Sequence, residues 1–168
     1  MQKVLVPVDN SGNCRFAVQH VVKEFMNNTA MEIHLLNVQP PFNRHITQFV
    51  SRKTIQDFHH DQAEKALDPI KRILNNLGIP YSVHTAVGER GRVISDVASR
   101  LNCDLIVMST ARKNSLTRLI ESSVTNRVLE LTSVPVELIA GDAASKWERY
   151  GIPVGIGTAL ALLFAALD

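Results

Sequence analysis

Short apolar runs and longer amphipathic segments alternate along the chain. Four of the runs have the length of strands that are buried in a sheet: residues 3–8, 31–38, 104–108 and 134–139. Residues 81–87 alternate between apolar and polar side chains and are predicted to be a further strand, the third along the chain. In the segments between them, apolar residues recur every three or four positions, as they do on the buried face of a helix. This alternation predicts an α/β fold in which helices cover both faces of a five-stranded, mostly parallel sheet.

Polar and conformationally special residues mark the predicted ends of these elements. Residues 9–12 are polar or glycine and follow the first strand, and Asp9 is of a type that caps helices. A long helix is predicted from about Gln56, with Gly78 placed to end it in the left-handed conformation. Pro69 lies inside this helix and is expected to kink or break it.

Charge and cysteine content argue against some classes of function. The formal net charge of +2 at pH 7 is too small to indicate nucleic-acid binding, and an aromatic content of 5% offers few residues for stacking on bases. The two cysteines, Cys14 and Cys103, lie in apolar patterns and are predicted to be buried, reduced thiols. We expect no signal peptide before the first strand, and therefore a cytoplasmic body.

The histidines do not predict a metal site. His59 and His60 are adjacent, and neighbouring residues of a helix point about 100° apart, so both cannot face one ion. The spacing of polar residues also specifies no Ser-His-Asp triad and no pair of catalytic carboxylates. We therefore predict no metal ligands and no catalytic residues.

The character of the chain changes after residue 140. Residues 141–150 are polar and are predicted to form a linker, and residues 151–168 form an apolar tail. As a hydrophobic helix, Ile152–Leu167 would span about 24 Å of a hydrocarbon core about 30 Å thick. The tail can insert into a membrane as an anchor, pack within an oligomer, or lie on a membrane surface. The aromatic and basic residues that flank it favour the anchor.

The segment after the fourth strand has the arrangement of an anion-binding site. The strand leads into a polar, basic loop at residues 109–123, and a helix then begins near Ser122 and Ser123. Free amide groups at the beginning of a helix bind anions, and ligands of open α/β sheets lie at the carboxyl ends of the strands. The loop therefore predicts either a phosphate site or a solvated turn followed by a capped helix.

Residues 3–11 and 104–139 together resemble the universal stress protein family, and the resemblance covers roughly residues 1–140. It implies the adenine nucleotide alpha-hydrolase-like fold and a homodimer formed through the last strand. It also implies that Asp9 lies beside the adenine ring and ribose of a nucleotide, and that Val38 offers backbone groups to the adenine edge. The alternatives are a helix cap for Asp9 and an ordinary core position for Val38.

A glycine motif separates members of this family that bind ATP from members that do not. ATP-binding members carry G-x2-G-x9-G-[S/T] after the fourth strand. The aligned residues here are Ser109, Arg112, Ser122 and Ser123. A Cβ at the glycine positions obstructs the approach of phosphates to the backbone, and Arg112 places a long cation there. We therefore predict that ATP is not bound tightly.

These patterns predict a universal-stress-protein-like module for binding or signalling in stress adaptation, and not an enzyme. The alternative is an adenine-nucleotide sensor that binds ATP or AMP through Asp9, the 109–123 loop and Ser123. A third hypothesis, a weak ATP hydrolase or phosphotransferase, lacks both a P-loop lysine motif and an evident base. The body is expected to be cytoplasmic, and tethered to the membrane if the tail inserts.

Overall fold

The computed structural model describes residues 1–43, 49–112 and 123–143, which alternate between strands and helices. The strands are β1 (Gln2–Pro7), β2 (Met31–Gln39), β3 (Tyr81–Val87), β4 (Leu105–Arg112) and β5 (Val136–Ala143). The helices are α1 (Cys14–Asn27), α2 (Arg52–Asn76), α3 (Arg90–Arg100) and α4 (Ser123–Leu131). The predicted α/β fold is confirmed.

The five strands form one parallel sheet in the order β3-β2-β1-β4-β5. β1 pairs with β2 along its length, from Gln2 with Met31 to Pro7 with Leu36. On its other side β1 pairs with β4 at Leu5 and Ile106. The chain thus runs outward from β1 to β3 and then returns to build the other half of the sheet. In open α/β sheets such a reversal creates a crevice at the carboxyl ends of the strands.

The core has two layers, one on each face of the sheet. Val4 and Val6 of β1 pack in the layer formed with α1 and α2, whereas Leu5 packs in the layer formed with α3 and α4. All three side chains are at most 1% exposed. A strand that is covered on both faces needs an uninterrupted apolar run, which is the pattern that the sequence shows at this strand.

Two strands are longer than the apolar pattern predicts. β4 continues to Arg112, so that the first residues of the predicted 109–123 loop belong to the strand. β5 continues to Ala143 and includes the first three residues of the predicted 141–150 linker. The two extensions pair with each other, Thr110 with Ala140 and Arg112 with Ala143. A backbone ladder needs no apolar side chains, and the hydrophobic pattern therefore misses these residues.

The remaining predictions for the C-terminal region concern residues that are not described. The predicted tail at 151–168, and the predicted linker beyond Ala143, lie outside the described ranges. None of the helices in the described ranges is both long and apolar enough to cross a membrane.

Helix α2 begins and ends at specific backbone signals. It begins at Arg52, four residues before the predicted Gln56, because the Ser51 hydroxyl accepts a hydrogen bond from the Thr54 amide and caps the first turn. It ends at Asn76 with Leu77 as its C-cap, and Gly78 follows in the predicted left-handed conformation, with a φ of 66°. Pro69 does not break the helix, and it lies on the exposed side.

The first turn of α3 is held by Glu89, which also faces α4. The two Glu89 carboxylate oxygens accept hydrogen bonds from the amides of Gly91 and Arg92, at 2.8 and 2.9 Å. Glu89 Oε2 lies 3.8 Å from Nε of Arg127 on α4. At Gly91 the two helices approach so closely that a Cβ would lie 2.5 Å from the Cβ of Arg127. The glycine therefore fixes the spacing between α3 and α4.

Two histidines form a pair between β2 and β3. Nδ1 of the buried His34 lies 3.0 Å from Nε2 of His84. Nε2 of His34 lies 3.1 Å from Oε1 of Glu32, a close contact that is not aligned as a hydrogen bond. Burial, and then the neighbouring His34 and Arg100, lower the pKa of His84 below its ordinary value of 6.5.

The contact at Gly91 predicts that Gly91→Ala destabilises the fold. Alanine ordinarily stabilises a helix by about 1 kcal/mol relative to glycine, but here the added methyl group overlaps Arg127 and costs about 1–3 kcal/mol. Urea unfolding measures the difference, with Ser99→Ala on the exposed side of α3 as the control. If Gly91→Ala raises the unfolding free energy, the helices are not in contact at this position.

The lowered pKa of His84 predicts an acid-sensitive fold. Below pH 6.5 the unfolded chain binds a proton at this residue more readily than the folded chain does, so stability falls as the pH falls through this range. His84→Gln cannot take up the proton and should flatten the dependence between about pH 7.5 and 5.5. His60→Gln, at an exposed histidine of α2, is the matched control. Equal slopes for the wild type and His84→Gln in urea unfolding would contradict the prediction.

Candidate functional site

A cleft of about 240 Å³ opens at the carboxyl ends of β1, β2 and β4. It lies where β1 and β4 separate, which is the usual place for a ligand in a sheet of this topology. Its volume is slightly below the roughly 300–1,000 Å³ of typical ligand pockets. The lining residues are Pro7, Val8, Asp9, Ser11, Asn13, Cys14, Leu36, Val38, Arg90, Ile94, Met108, Ser109, Thr110, Val124 and Thr125.

Asp9 lies at the edge of the cleft and organises the turn that follows β1. Its Oδ1 accepts hydrogen bonds from the Ser11 amide at 3.1 Å and from the Ser11 hydroxyl at 2.6 Å. The Ser11 hydroxyl oxygen in turn accepts a hydrogen bond from the amide of Asn13. Asn13, and not Asp9, occupies the cap position of α1, and its side chain makes no capping hydrogen bond. The predicted helix cap at Asp9 is therefore wrong, and the carboxylate is fixed at the cleft by a turn instead.

Cys14 lies beside this turn, at the beginning of α1. Its thiol donates a hydrogen bond to the backbone carbonyl of Asp9, with Sγ and O 3.3 Å apart. The predicted burial and reduced state of both cysteines are confirmed. Burial raises the pKa of the Cys14 thiol above its ordinary value, and a protonated thiol is a weak nucleophile.

The end of β2 presents its backbone to the cleft. The carbonyl of Leu36 accepts a hydrogen bond from the amide of Val8, and the carbonyl of Gln39 accepts one from Gly88 on the β3 side. The peptide groups of successive residues in a strand point alternately to the strand on one side and to the strand on the other. Those of Leu36 point to β1, so those of Val38, two residues later, face the β1 side as well. That side lies beyond Pro7, the last residue of β1. Val38 is thus both a core residue, 8% exposed, and a source of backbone hydrogen-bonding groups.

A buried asparagine stops the ladder at this point. The Asn37 side chain is 2% exposed, and its Nδ2 donates to the carbonyl of Val8 at 2.8 Å. Its Oδ1 accepts a hydrogen bond from Nε2 of Gln39 at 2.7 Å. The sequence analysis does not identify Asn37, although a polar residue within an apolar run is a recognisable signal.

Thr110 is the most informative residue of the cleft. It lies on β4, its side chain is 7% exposed, and within the described part of the chain its hydroxyl has no hydrogen-bonding partner. Leaving a buried hydroxyl without a partner costs about 1–3 kcal/mol. Such groups are rare in folded proteins, and one that lines a cleft is placed to bond a water molecule or a polar ligand there. The hydrophobic pattern of the sequence predicts a loop at Thr110, and the burial of this residue follows only from the longer β4 of the structure.

The structure brings together three of the residues that the sequence predicts for the site. Asp9, Val38 and Ser109 line the same cleft. Arg112 is the last residue of β4 and Ser123 is the first residue of α4, but their side chains lie outside the described part of the molecule. Ser122 lies in the range that is not described.

Arg90 is a lining residue that the sequence analysis does not identify. It is the first residue of α3 and is exposed at the edge of the cleft. The sequence does indicate that Arg90 lies near the edge of the sheet where ligands bind, because the turn that contains it follows the carboxyl end of β3. Among the described residues, no group of three or more histidines, cysteines and carboxylates is arranged to hold a metal ion.

Comparison with known proteins agrees with this architecture. Residues 1–139 match the model of the universal stress protein family. The universal stress protein MJ0531 of Methanocaldococcus jannaschii is 26% identical over 141 residues, which cover 82% of this chain and 81% of that protein. The solved structure of MJ0577, from the same organism, gives a TM-score of 0.67 at 26% identity and covers 83% of this chain and 95% of that one.

A more distant structure, of a universal stress protein family protein from Arabidopsis thaliana, was solved with AMP bound. It gives a TM-score of 0.61 at 18% identity and covers 85% of this chain and 94% of that one, a likeness that establishes the fold alone. The family match extends over most of the chain, and its range contains β1 to β4 and the first part of β5. The chain belongs to the universal stress protein family.

Proposed function

We propose that the protein is a binding module of stress adaptation whose cleft takes up an adenine nucleoside monophosphate, and which binds ATP only weakly. The observation that carries the proposal is the buried hydroxyl of Thr110, which lines the cleft and has no partner among the described residues. A polar ligand supplies the missing hydrogen bond. The Arabidopsis protein of the same fold, which holds AMP, supports this class of ligand.

The groups around Thr110 suit the parts of a nucleoside. The Val38 peptide groups face the cleft from the end of β2 and suit the edge of a base, which needs both donors and acceptors. The Asp9 carboxylate, held by Ser11, suits the hydroxyl groups of a ribose. Apolar side chains such as Ile94 and Met108 complete the lining and suit the faces of a base.

The same region argues against tight binding of ATP. Ser109 and Arg112 occupy positions that are glycine in the ATP-binding members that the sequence resembles, and here both lie in β4. Their register with Ile139 and Ala143 of β5 places them in a strand ladder and not in an open loop. A phosphate cradle needs free backbone amides that turn towards the ligand. These two positions therefore favour a ligand with a shorter phosphate group.

Binding rather than catalysis is the activity that the cleft favours. The Cys14 thiol lies at the lining but is engaged with the Asp9 carbonyl, and burial raises its pKa. The Asp9 carboxylate is engaged by Ser11. These contacts stabilise the walls of the cleft rather than activate a nucleophile. A turnover assay with ATP distinguishes this proposal from the alternative of a weak hydrolase.

The assembly is proposed to be a homodimer that forms through β5. This strand is at the edge of the sheet, and Leu138 on it is 38% exposed. An exposed edge strand offers backbone groups to a second strand. Insertion of the 151–168 tail into a membrane remains a prediction from the sequence, with packing in the oligomer and surface binding as its alternatives.

The proposal predicts that AMP binds saturably and that ATP binds at least about tenfold more weakly. The β- and γ-phosphates of ATP lose hydrogen bonds to water in the cleft and find no cradle of backbone amides to replace them, a cost of about 1.5–3 kcal/mol that AMP does not bear. Isothermal titration calorimetry on the full-length protein measures both affinities. ATP binding as tight as that of AMP would contradict the weak-ATP part of the proposal. The absence of saturable binding of either nucleotide would overturn it entirely.

The role of Thr110 predicts opposite effects of one substitution on binding and stability. Thr110→Val keeps the shape of the side chain and removes the hydroxyl. It should weaken AMP binding by about threefold to tenfold and raise the free energy of unfolding by about 1–3 kcal/mol. Thr85→Val, at an exposed position of β3 outside the cleft, is the matched control and should change neither quantity. A Thr110→Val protein that binds AMP like the wild type would show that this hydroxyl does not meet the ligand.

A further inference from the structure

The described part of the cleft lining contains two charged side chains, and they lie on different elements. Asp9 follows β1, and Arg90 begins α3. Asp9 is already held by Ser11. Arg90 is exposed, and within the described residues its guanidinium takes part in no ion pair. The cleft therefore carries an uncompensated cation at the edge where α3 begins.

The acidic neighbour of Arg90 is engaged elsewhere. Glu89 accepts hydrogen bonds from the amides of Gly91 and Arg92, and its Oε2 lies 3.8 Å from Arg127 on α4. These contacts have two consequences. The carboxylate is directed at the first turn of α3 and at α4, and the amides of Gly91 and Arg92 are not free to bind a ligand anion. An anion that enters the cleft from this side meets the Arg90 side chain and not these two amides.

We infer that Arg90 is the residue by which the cleft distinguishes a nucleoside phosphate from an uncharged nucleoside. The inference rests on the proposed function and names the group that selects its ligand. A guanidinium presents several donors in a plane and matches two phosphate oxygens at once. The backbone of Ser109 and Arg112 lies in the β4 ladder and is not placed to contact an anion in the cleft. The side chain of Arg90 on α3 supplies that contact instead.

The test compares AMP with adenosine on full-length protein, by calorimetry at low salt. Arg90→Gln should weaken the binding of AMP by at least about tenfold, because it removes charge-assisted hydrogen bonds, and should leave the binding of adenosine within about twofold. Arg90→Lys keeps the charge without the planar fork and should restore part of the AMP affinity. Arg92→Gln is the matched control, because Arg92 is exposed on the same turn but does not line the cleft. It should change both affinities by no more than about twofold.

The outcomes separate this inference from the proposed function. If the wild type binds AMP and adenosine and Arg90→Gln weakens both equally, the role of Arg90 is overturned while nucleotide binding stands. The role is also overturned if Arg92→Gln weakens AMP binding as much as Arg90→Gln does, since the effect is then one of overall charge. If the wild type binds neither compound, the proposed function fails and this inference fails with it.

Discussion

The parallel pairing of β1 with strands on both sides is the constraint on which the rest of the structure depends. Because β1 lies between β2 and β4, its side chains must fill two core layers, and Val4, Leu5 and Val6 are fully buried. The helices that connect parallel strands must then lie on opposite faces. Where the connections reverse, β1 and β4 separate at their carboxyl ends, and the cleft lies at that separation. The position of the cleft is thus a consequence of strand order, whereas its chemistry is set by a few residues at the strand ends.

Most of the architecture follows from local sequence patterns. Continuous apolar runs identify the strands that are covered on both faces, alternation identifies the edge strand β3, and Gly78 identifies the end of α2 because its backbone is left-handed. The resemblance to a family then supplies the prediction that Asp9, Val38 and Ser109 lie together, and these residues share one cleft. The polar ends of β4 and β5 have no such signal, since backbone ladders form there between residues of any side-chain type.

The parts of the cleft that the sequence does not predict arise from contacts between distant segments. Thr110 is informative only because its hydroxyl is buried without a partner among the described residues, in a cleft that Val124 and Thr125 of the distant α4 also line. Arg90 lines the cleft from the first turn of α3, next to Gly91, where α3 contacts α4, and next to Glu89, whose carboxylate is engaged by the same turn. Outside the cleft, the His34–His84 pair likewise joins residues 50 positions apart. None of these contacts produces a repeating pattern of residue types along the chain, so the sequence alone does not predict them.

The hydrogen bond from Asn37 to the carbonyl of Val8 has a consequence for the speed of recognition. In a continuous parallel ladder, β1 and β2 would remain paired beyond Pro7 and Leu36, and a ligand would have to compete with backbone hydrogen bonds to reach Val38. The buried amide of Asn37 occupies the next acceptor from within the chain and leaves the end of β2 facing the cleft. The opening is therefore part of the fold itself, and the proposed ligand would not have to break hydrogen bonds between β1 and β2 to reach Val38. Association at such a preorganised site is expected to be limited by diffusion and orientation rather than by a conformational step.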